Sequence, residues 1–268
     1  MTTYQQTGVL LRPVSAAPEL AGTGGGLMAS LLPPRVVAAE TFGHGDEDWW
    51  GALLPAEARL MAGAGAKRRR DFAGVRVCAR RALRVLGYAP VPVLPGPRGE
   101  PRWPAGVVGS MTHCAGYRAA VVARPEAGLA GLGIDAEPHA PLSPDVLEMV
   151  ASPAERAHVA MLAGGRPRVH WGTVLFCVKE AVFKAWYPLA HTELGFLEAE
   201  VAFQVDGDGS SGGVTAAVRR PGPFAAVSGR WRVADGVIAT AVVAEAAAAW
   251  KSGQHPSRAA PPGEHPAA

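Results

Sequence analysis

The sequence predicts an α+β fold, and the repetition of its pattern is consistent with a duplicated α+β unit. Three observations carry that expectation. A long helical pattern followed by short strand patterns occurs twice along the 268 residues. The patterned segments are punctuated by turns drawn from 33 Gly and 24 Pro. A hydrophobic content of 49 % against 18 % charged residues is enough to give the halves a core. Residues 1–127 and 128–245 are the expected halves, and 246–268, rich in Pro, Gly, Ser and Ala, reads as a disordered tail.

Taken in order, Val9–Val14 is a short edge strand at most, because Pro13 cannot donate to a ladder. Val36–Thr41 is a further strand or turn. Pro55–Met61 starts a helix with proline at an early position. Ala66–Leu86 is a long helix whose apolar face is Phe72, Val75, Ala79, Ala82, Leu83 and Leu86, with Gly87 as its terminator and arginines on its other faces. Residues 90–106 form a Pro/Gly loop. Val107–Thr112, Tyr117–Ala123 and Leu129–Asp135 read as three strands, after which Pro138, Pro141 and Pro144 break the pattern. Ser152-Pro153-Ala154-Glu155 offers an N-cap serine, an N1 proline and a capping-box glutamate for a helix to about Met161. Residues 171–187 form a second long helix, with Trp171, Val174, Leu175, Val178, Val182, Ala185 and Trp186 on one face; Pro188 should stop it at Tyr187. Ala199–Val205, Gly213–Arg219, Ala225–Val233 and Val237–Ala244 read as strands, the last two joined by the hairpin signal Asp235-Gly236.

The net charge of +3 is modest, but its distribution is not. Lys67, Arg68, Arg69, Arg70, Arg76, Arg80, Arg81 and Arg84 fall in one helix opposed only by Asp71, which favours an anionic partner or substrate. Arg68 and Arg76 lie about 12 Å apart along the axis, close enough to serve one polyanion. Cys78, Cys114 and Cys177 match no metal spacing, and reduced thiols in the cytoplasm are expected. Neither a signal segment nor a transmembrane run is apparent.

Glu180 and Lys184 sit four apart on the long helix. By themselves they read as a surface pair of ~0.3–0.5 kcal/mol. Asp135 and Glu137, at i and i+2 on a strand, point to one side. In isolation they are two solvated carboxylates; with Glu180 they would make three hard oxygen donors, a full protein complement for magnesium. His113, at a strand end near the basic helix, is either a hydrogen-bonded core histidine or a phosphate contact.

These residues stand in three runs: Gly109-Ser110-Met111-Thr112-His113-Cys114-Ala115-Gly116-Tyr117, Gly133-Ile134-Asp135-Ala136-Glu137-Pro138-His139, and Phe176-Cys177-Val178-Lys179-Glu180-Ala181-Val182-Phe183-Lys184-Ala185-Trp186-Tyr187-Pro188-Leu189. Together they resemble the Sfp-type 4'-phosphopantetheinyl transferases, in the actinobacterial branch related to the enterobactin-type enzymes, over about residues 35–244. The resemblance implies the fold of that family, a pseudo-dimer of two similar α+β halves, with coenzyme A in the cleft between them. It implies transfer of the 4'-phosphopantetheine arm to a serine of an acyl or peptidyl carrier protein, with adenosine 3',5'-bisphosphate released. It implies Mg²⁺ on Asp135, Glu137 and Glu180, catalysis by Glu180 as base and by Lys184, and contacts to coenzyme A from Arg68, Arg76, Arg98, Thr112 and His113. A cytoplasmic monomer is implied, with neither nucleic acid nor membrane as partner. Carriers of polyketide, fatty-acid and nonribosomal peptide synthesis all fall within the implied range. Arg166 and Arg168 are the expected positive charge for an acidic carrier helix, and Trp171 and Leu175 either present an apolar contact to it or pack in the core. A non-catalytic coenzyme A or nucleotide binder of the same fold is the alternative, and a nucleic-acid binder built on the arginine helix is opposed by the acidic residues.

Overall fold

The computed structural model describes residues 25–43 and 49–245. The expected strand at Val9–Val14 and the expected tail at 246–268 lie outside the described residues. Three sheets and five α-helices make up the described chain.

In the first half, β1 (Val37–Phe42), β4 (Val108–Cys114) and β5 (Tyr117–Ala123) form an antiparallel sheet in the order β1-β5-β4. Helices α1 (Pro55–Leu60) and α2 (Ala66–Val85) precede the last two strands, and α2 packs on this sheet. In the second half, β6 (Leu129–Pro138), β7 (Ala199–Phe203), β8 (Ser211–Val218), β9 (Ala226–Ala234) and β10 (Val237–Glu245) form an antiparallel sheet in the order β6-β10-β9-β8-β7. Helix α5 (Trp171–Ala190) packs on it, preceded by α3 (Pro144–Val150) and α4 (Pro153–Gly165). Each half is thus a sheet carrying one 20-residue helix.

The two sheets face each other, giving four layers. All seven residues of β5 are buried because both of its faces are covered. Ala120 and Val122 face α2, whereas Tyr117, Ala119, Val121 and Ala123 meet Leu132, Ile134 and Ala136 of β6 and Ala239 and Ala241 of β10. The face of α5 read from the sequence is the one that is buried, from Trp171 to Trp186.

Several elements differ from expectation. Helix α5 continues through Pro188 to Ala190, because in the last turn the missing N–H removes only one hydrogen bond. It ends at His191, in the left-handed conformation at φ 52°. Helix α4 runs past the expected stop at Met161, with Gly164 and Gly165 forming its last turn. Helix α3 was not expected: Ser143 caps it and Pro144 occupies its first position, so a proline read as a breaker is a start. The loop of 90–106 contains a small hairpin, β2 (Leu94–Pro95) with β3 (Pro101–Arg102). Gly87 ends α2 as expected, at φ 87°, with the Tyr88 N–H bonded to the Leu83 carbonyl and its own N–H to that of Arg84.

Candidate active site

Where the halves meet, β4 and β6 run side by side, joined through side chains. The Ile134 N–H donates to the Ser110 hydroxyl and the Ala136 N–H to the Thr112 hydroxyl, both at 3.1 Å. Thr112 spends its own hydrogen on Asp135 Oδ1, 3.0 Å away. Lys184 of α5 donates to the same oxygen at 2.6 Å. Lys184 therefore pairs with Asp135 rather than, as its spacing suggested, with Glu180.

The approach of α5 that makes this contact is set by glycine. Residues 131, 133, 135 and 137 alternate onto the face of β6 that meets α5. A Cβ at Gly133 would lie 1.8 Å from the Ala181 carbonyl oxygen, and one at Gly131 3.0 Å from that of Ala185. Glycine stands where the helix touches the strand, and carboxylate where the cleft opens. The Gly131-x-Gly133-x-Asp135-x-Glu137 alternation was visible in the sequence and was not read.

Asp135 is 4 % exposed, and among the described residues its buried Oδ2 has no hydrogen-bond partner. Burial first, then the charge of Asp135, pushes the Glu137 carboxyl up to about 7; Glu180 adds to this and Lys184 opposes it. Glu180 is raised by burial and by Asp135, again against Lys184. Lys184 remains cationic: burial disfavours its charge, but Asp135 and Glu180 outweigh it. Among the described residues, no three His, Cys, Asp or Glu side chains form a ready-made metal cage. The donor set nevertheless fits a hard divalent cation. It offers only oxygens, carries more negative than positive charge, and includes an orphaned buried carboxylate oxygen. Magnesium characteristically takes one or two carboxylates and completes its shell with water and substrate phosphate. The thiol of Cys114 nearby is pushed up to about 12 by burial and by Glu137 and Asp135, so it stays protonated.

A cleft of about 1130 Å³ extends from these carboxylates to the basic helix. Lys67, Arg68, Arg76, Arg98 and His113 line it, as do Thr112, Asp135, Glu137, Glu180 and Lys184. All the expected site residues therefore share one cavity, but their circumstances differ. Arg68 is exposed. Arg76 is not on an outer face: it is 6 % exposed, stacks 3.3 Å from the Phe72 ring, and donates from Nε to the Val93 carbonyl. The Val93 N–H in turn donates to Glu57, a buried carboxylate that also takes Arg80, so this corner is fixed. Burial, with Arg80 adding and Glu57 opposing, lowers Arg76 to about 10, which leaves it charged. Arg98, at the tip of the β2–β3 hairpin, forms an ion pair with Glu193 of the other half. The Thr112 hydroxyl is already engaged with Asp135 and Ala136. His113 is about half exposed, and burial lowers its basicity.

Of the two readings of Trp171 and Leu175, core packing is the one the structure bears out. Trp171 and Leu175 are 2 % and 0 % exposed and pack in the core against the five-stranded sheet, so neither is a surface anchor. Arg166 and Arg168 are exposed. Lys179, within the Lys-Glu-x-x-x-Lys run, faces away from the cleft. It donates to Glu155 and to the carbonyls of Val150 and Phe196, each at 2.8 Å. Glu155 also accepts from the Val201 and Ser152 N–H groups, so the capping box of α4 doubles as a buried hub.

Residues 56–123 match the family model described as 4'-phosphopantetheinyl transferase N-terminal domain, and residues 131–240 match that of the 4'-phosphopantetheinyl transferase superfamily. The chain is 49 % identical over 228 residues to the 4'-phosphopantetheinyl transferase Svp of Streptomyces mobaraensis, covering 83 % of this chain and 91 % of that one. It is 44 % identical to the 4'-phosphopantetheinyl transferase PptT of Mycobacterium tuberculosis, over 82 % of this chain and 99 % of that one. Enterobactin synthase component D of Escherichia coli O157:H7 is 34 % identical over 55 % of this chain and 68 % of its own.

Proposed function

The chain belongs to the 4'-phosphopantetheinyl transferase superfamily, and we propose that it performs that family's reaction with the side chains gathered in this cleft. It transfers the 4'-phosphopantetheine group of coenzyme A to a serine of an apo carrier protein and releases adenosine 3',5'-bisphosphate. The family is magnesium-dependent.

On our reading Asp135, Glu137 and Glu180 hold the magnesium. The observation that carries this is the Asp135 carboxylate: one oxygen fixed by Thr112 and Lys184, the other buried with no hydrogen-bond partner among the described residues. When bound, the ion neutralises charge that builds on the diphosphate oxygens. Glu180, whose burial raises its affinity for a proton, takes the proton of the attacking serine. The serine oxygen bonds to the phosphorus bearing pantetheine, and the bond from that phosphorus to the bridging oxygen breaks. Lys184 balances the charge left on the departing phosphate. Arg68, Arg76, Arg98 and His113 neutralise the nucleotide phosphates, and Arg98 exchanges Glu193 for phosphate on binding. Thr112 acts by orienting Asp135. The half spanning 1–127 serves the nucleotide, and the half spanning 128–245 the metal and the chemistry.

No helix among the described residues is long and apolar enough to cross a membrane. The cytoplasm, where coenzyme A and apo carriers meet, is the compartment this reading implies. Arg166 and Arg168 supply exposed positive charge near the start of α5, suited to steering an acidic carrier helix. The test is the intact mass of an apo carrier protein after incubation with this protein, coenzyme A and Mg²⁺. A gain of one phosphopantetheine is expected, absent when the carrier's acceptor serine is replaced by alanine. A gain that persists with that alanine carrier would contradict the reading.

A further inference from the structure

Arg118 lies on β5 directly opposite His113 in the β4–β5 register, and its side chain is 7 % exposed. A guanidinium buried this deeply requires a carboxylate partner. Asp71 of α2 supplies one, with Arg118 Nη2 donating to Oδ1 at 2.9 Å. Gly74 makes the passage: a Cβ there would lie 2.3 Å from Arg118 Cδ. The second carboxylate oxygen has a different task. Asp71 Oδ2 accepts from Lys67 Nζ at 3.0 Å and lies 4.0 Å from His113 Nε2. Asp71, Lys67 and His113 all line the cleft. Neutralising Arg118 needs only the first oxygen; the second faces Lys67 of α2, whose side chain is largely exposed, and the His113 imidazole of β4, a cation when protonated.

We infer that Asp71 is a positioning residue for coenzyme A, anchored from behind by Arg118 and holding His113 and Lys67 as one cationic wall for the nucleotide phosphates. The inference rests on the reading of His113 as a phosphate contact. The electrostatics agree. Burial lowers the basicity of His113, and Lys184 of α5, Lys67 of α2 and Arg118 of β5 all act in the same direction; Asp71 opposes them. Asp71 stays ionised, since Lys67, His113 and Arg118 together outweigh its burial. Without that charge His113 loses its proton at lower pH, and a neutral imidazole gives up a charge-assisted bond to phosphate.

The test is calorimetric binding of coenzyme A and of dephospho-coenzyme A, which lacks the 3'-phosphate, between about pH 5 and 8. Asp71→Asn should lose about tenfold of the preference for coenzyme A. It should also move the pH at which coenzyme A affinity falls off to a lower value. His113→Gln should lose the preference and flatten the pH profile, and adding Asp71→Asn to it should cost little more. If Asp71→Asn fails to fold, Asp71→Asn with Arg118→Met removes the buried charge together with its partner and carries the same expectation. A wild-type preference and pH midpoint in a variant lacking Asp71, or full additivity with His113→Gln, would show that Asp71 serves only as the counterion of Arg118. A wild-type preference in His113→Gln itself would overturn the phosphate reading, and this proposal with it.

Discussion

Lys184 Nζ lies 2.6 Å from Asp135 Oδ1, an ion pair that joins α5 to β6 where the two halves meet. The Lys184 side chain is 29 % exposed and that of Asp135 only 5 %. The lysine thus reaches inward to a carboxylate that has no other cation partner among the described residues. Lys184→Met should cut kcat by about 100-fold or more, the scale seen when one charge-stabilising group is removed. It also removes the ammonium charge from Asp135 Oδ1, leaving that oxygen only the Thr112 hydroxyl, so Mg²⁺ should raise the melting temperature of the variant more than that of the wild type. Thermal melts with and without Mg²⁺ check this; an equal or smaller shift in the variant contradicts it.

The close approach of α5 to β6 predicts a sharp response at Gly133. Gly133→Ala puts a methyl group into the Ala181 carbonyl, which backbone cannot easily yield. A loss of about 1–3 kcal/mol is expected, with activity falling as Glu180 and Lys184 move off Asp135. Gly164→Ala, near the end of α4 with open space around it, should be neutral or stabilising by up to ~1 kcal/mol. Denaturant titration of the two variants distinguishes local crowding from a general cost of adding a methyl group.

Lys179 should behave as a structural residue despite its place in the motif. Lys179→Met leaves the Glu155 carboxylate buried without its cation, a loss of about 3–5 kcal/mol. The fraction that remains folded should keep a kcat within a few-fold of the wild type. Active-site titration alongside the melt separates the two effects, and a kcat loss as large as that of Lys184→Met would assign Lys179 to the chemistry.

The raised carboxyl of Glu137 predicts a pH dependence. With its affinity for a proton pushed up to about 7, mainly by burial and Asp135, Glu137 must release that proton to bind a cation. Mg²⁺ affinity should therefore rise with pH through about 7 and level off above it. A carboxyl raised on folding favours the folded state below its unfolded value, and this contribution is lost as pH climbs toward 7. Chelated protein should thus lose stability between about pH 4.5 and 7, and saturating Mg²⁺ should weaken that slope. Glu137→Gln should flatten both dependences. A Mg²⁺ affinity independent of pH in the wild type would contradict this account.

Much of this was legible because helix faces and strand alternation leave periodic marks. The buried stripe of α5, the capping box at Ser152 and the paired carboxylates of β6 are all local patterns. What was not legible depends on partners far apart in the chain. Arg76 looked like one more surface arginine because its burial depends on Phe72 and Val93 closing over it. Trp171 and Leu175 stayed open between surface anchor and core because periodicity shows which residues share a face, not what covers it. Helix α3 was lost to a run of prolines, one of which begins it. Lys179 could not be separated from Glu180 and Lys184 without knowing that Glu155 lies behind the helix.

The central claim, that the Asp135 carboxylate and its neighbours carry the transfer, is tested most directly by following carrier-protein mass over time. Wild type, Asp135→Ala and chelated wild type are compared with coenzyme A and an apo carrier. Asp135→Ala should fold, since it releases only a partly exposed lysine and a threonine hydroxyl, yet should leave the carrier unmodified. Chelation should stop the wild type, and Mg²⁺ should restore it. A carrier modified at the wild-type rate by Asp135→Ala, or by thoroughly chelated wild type, would contradict the account.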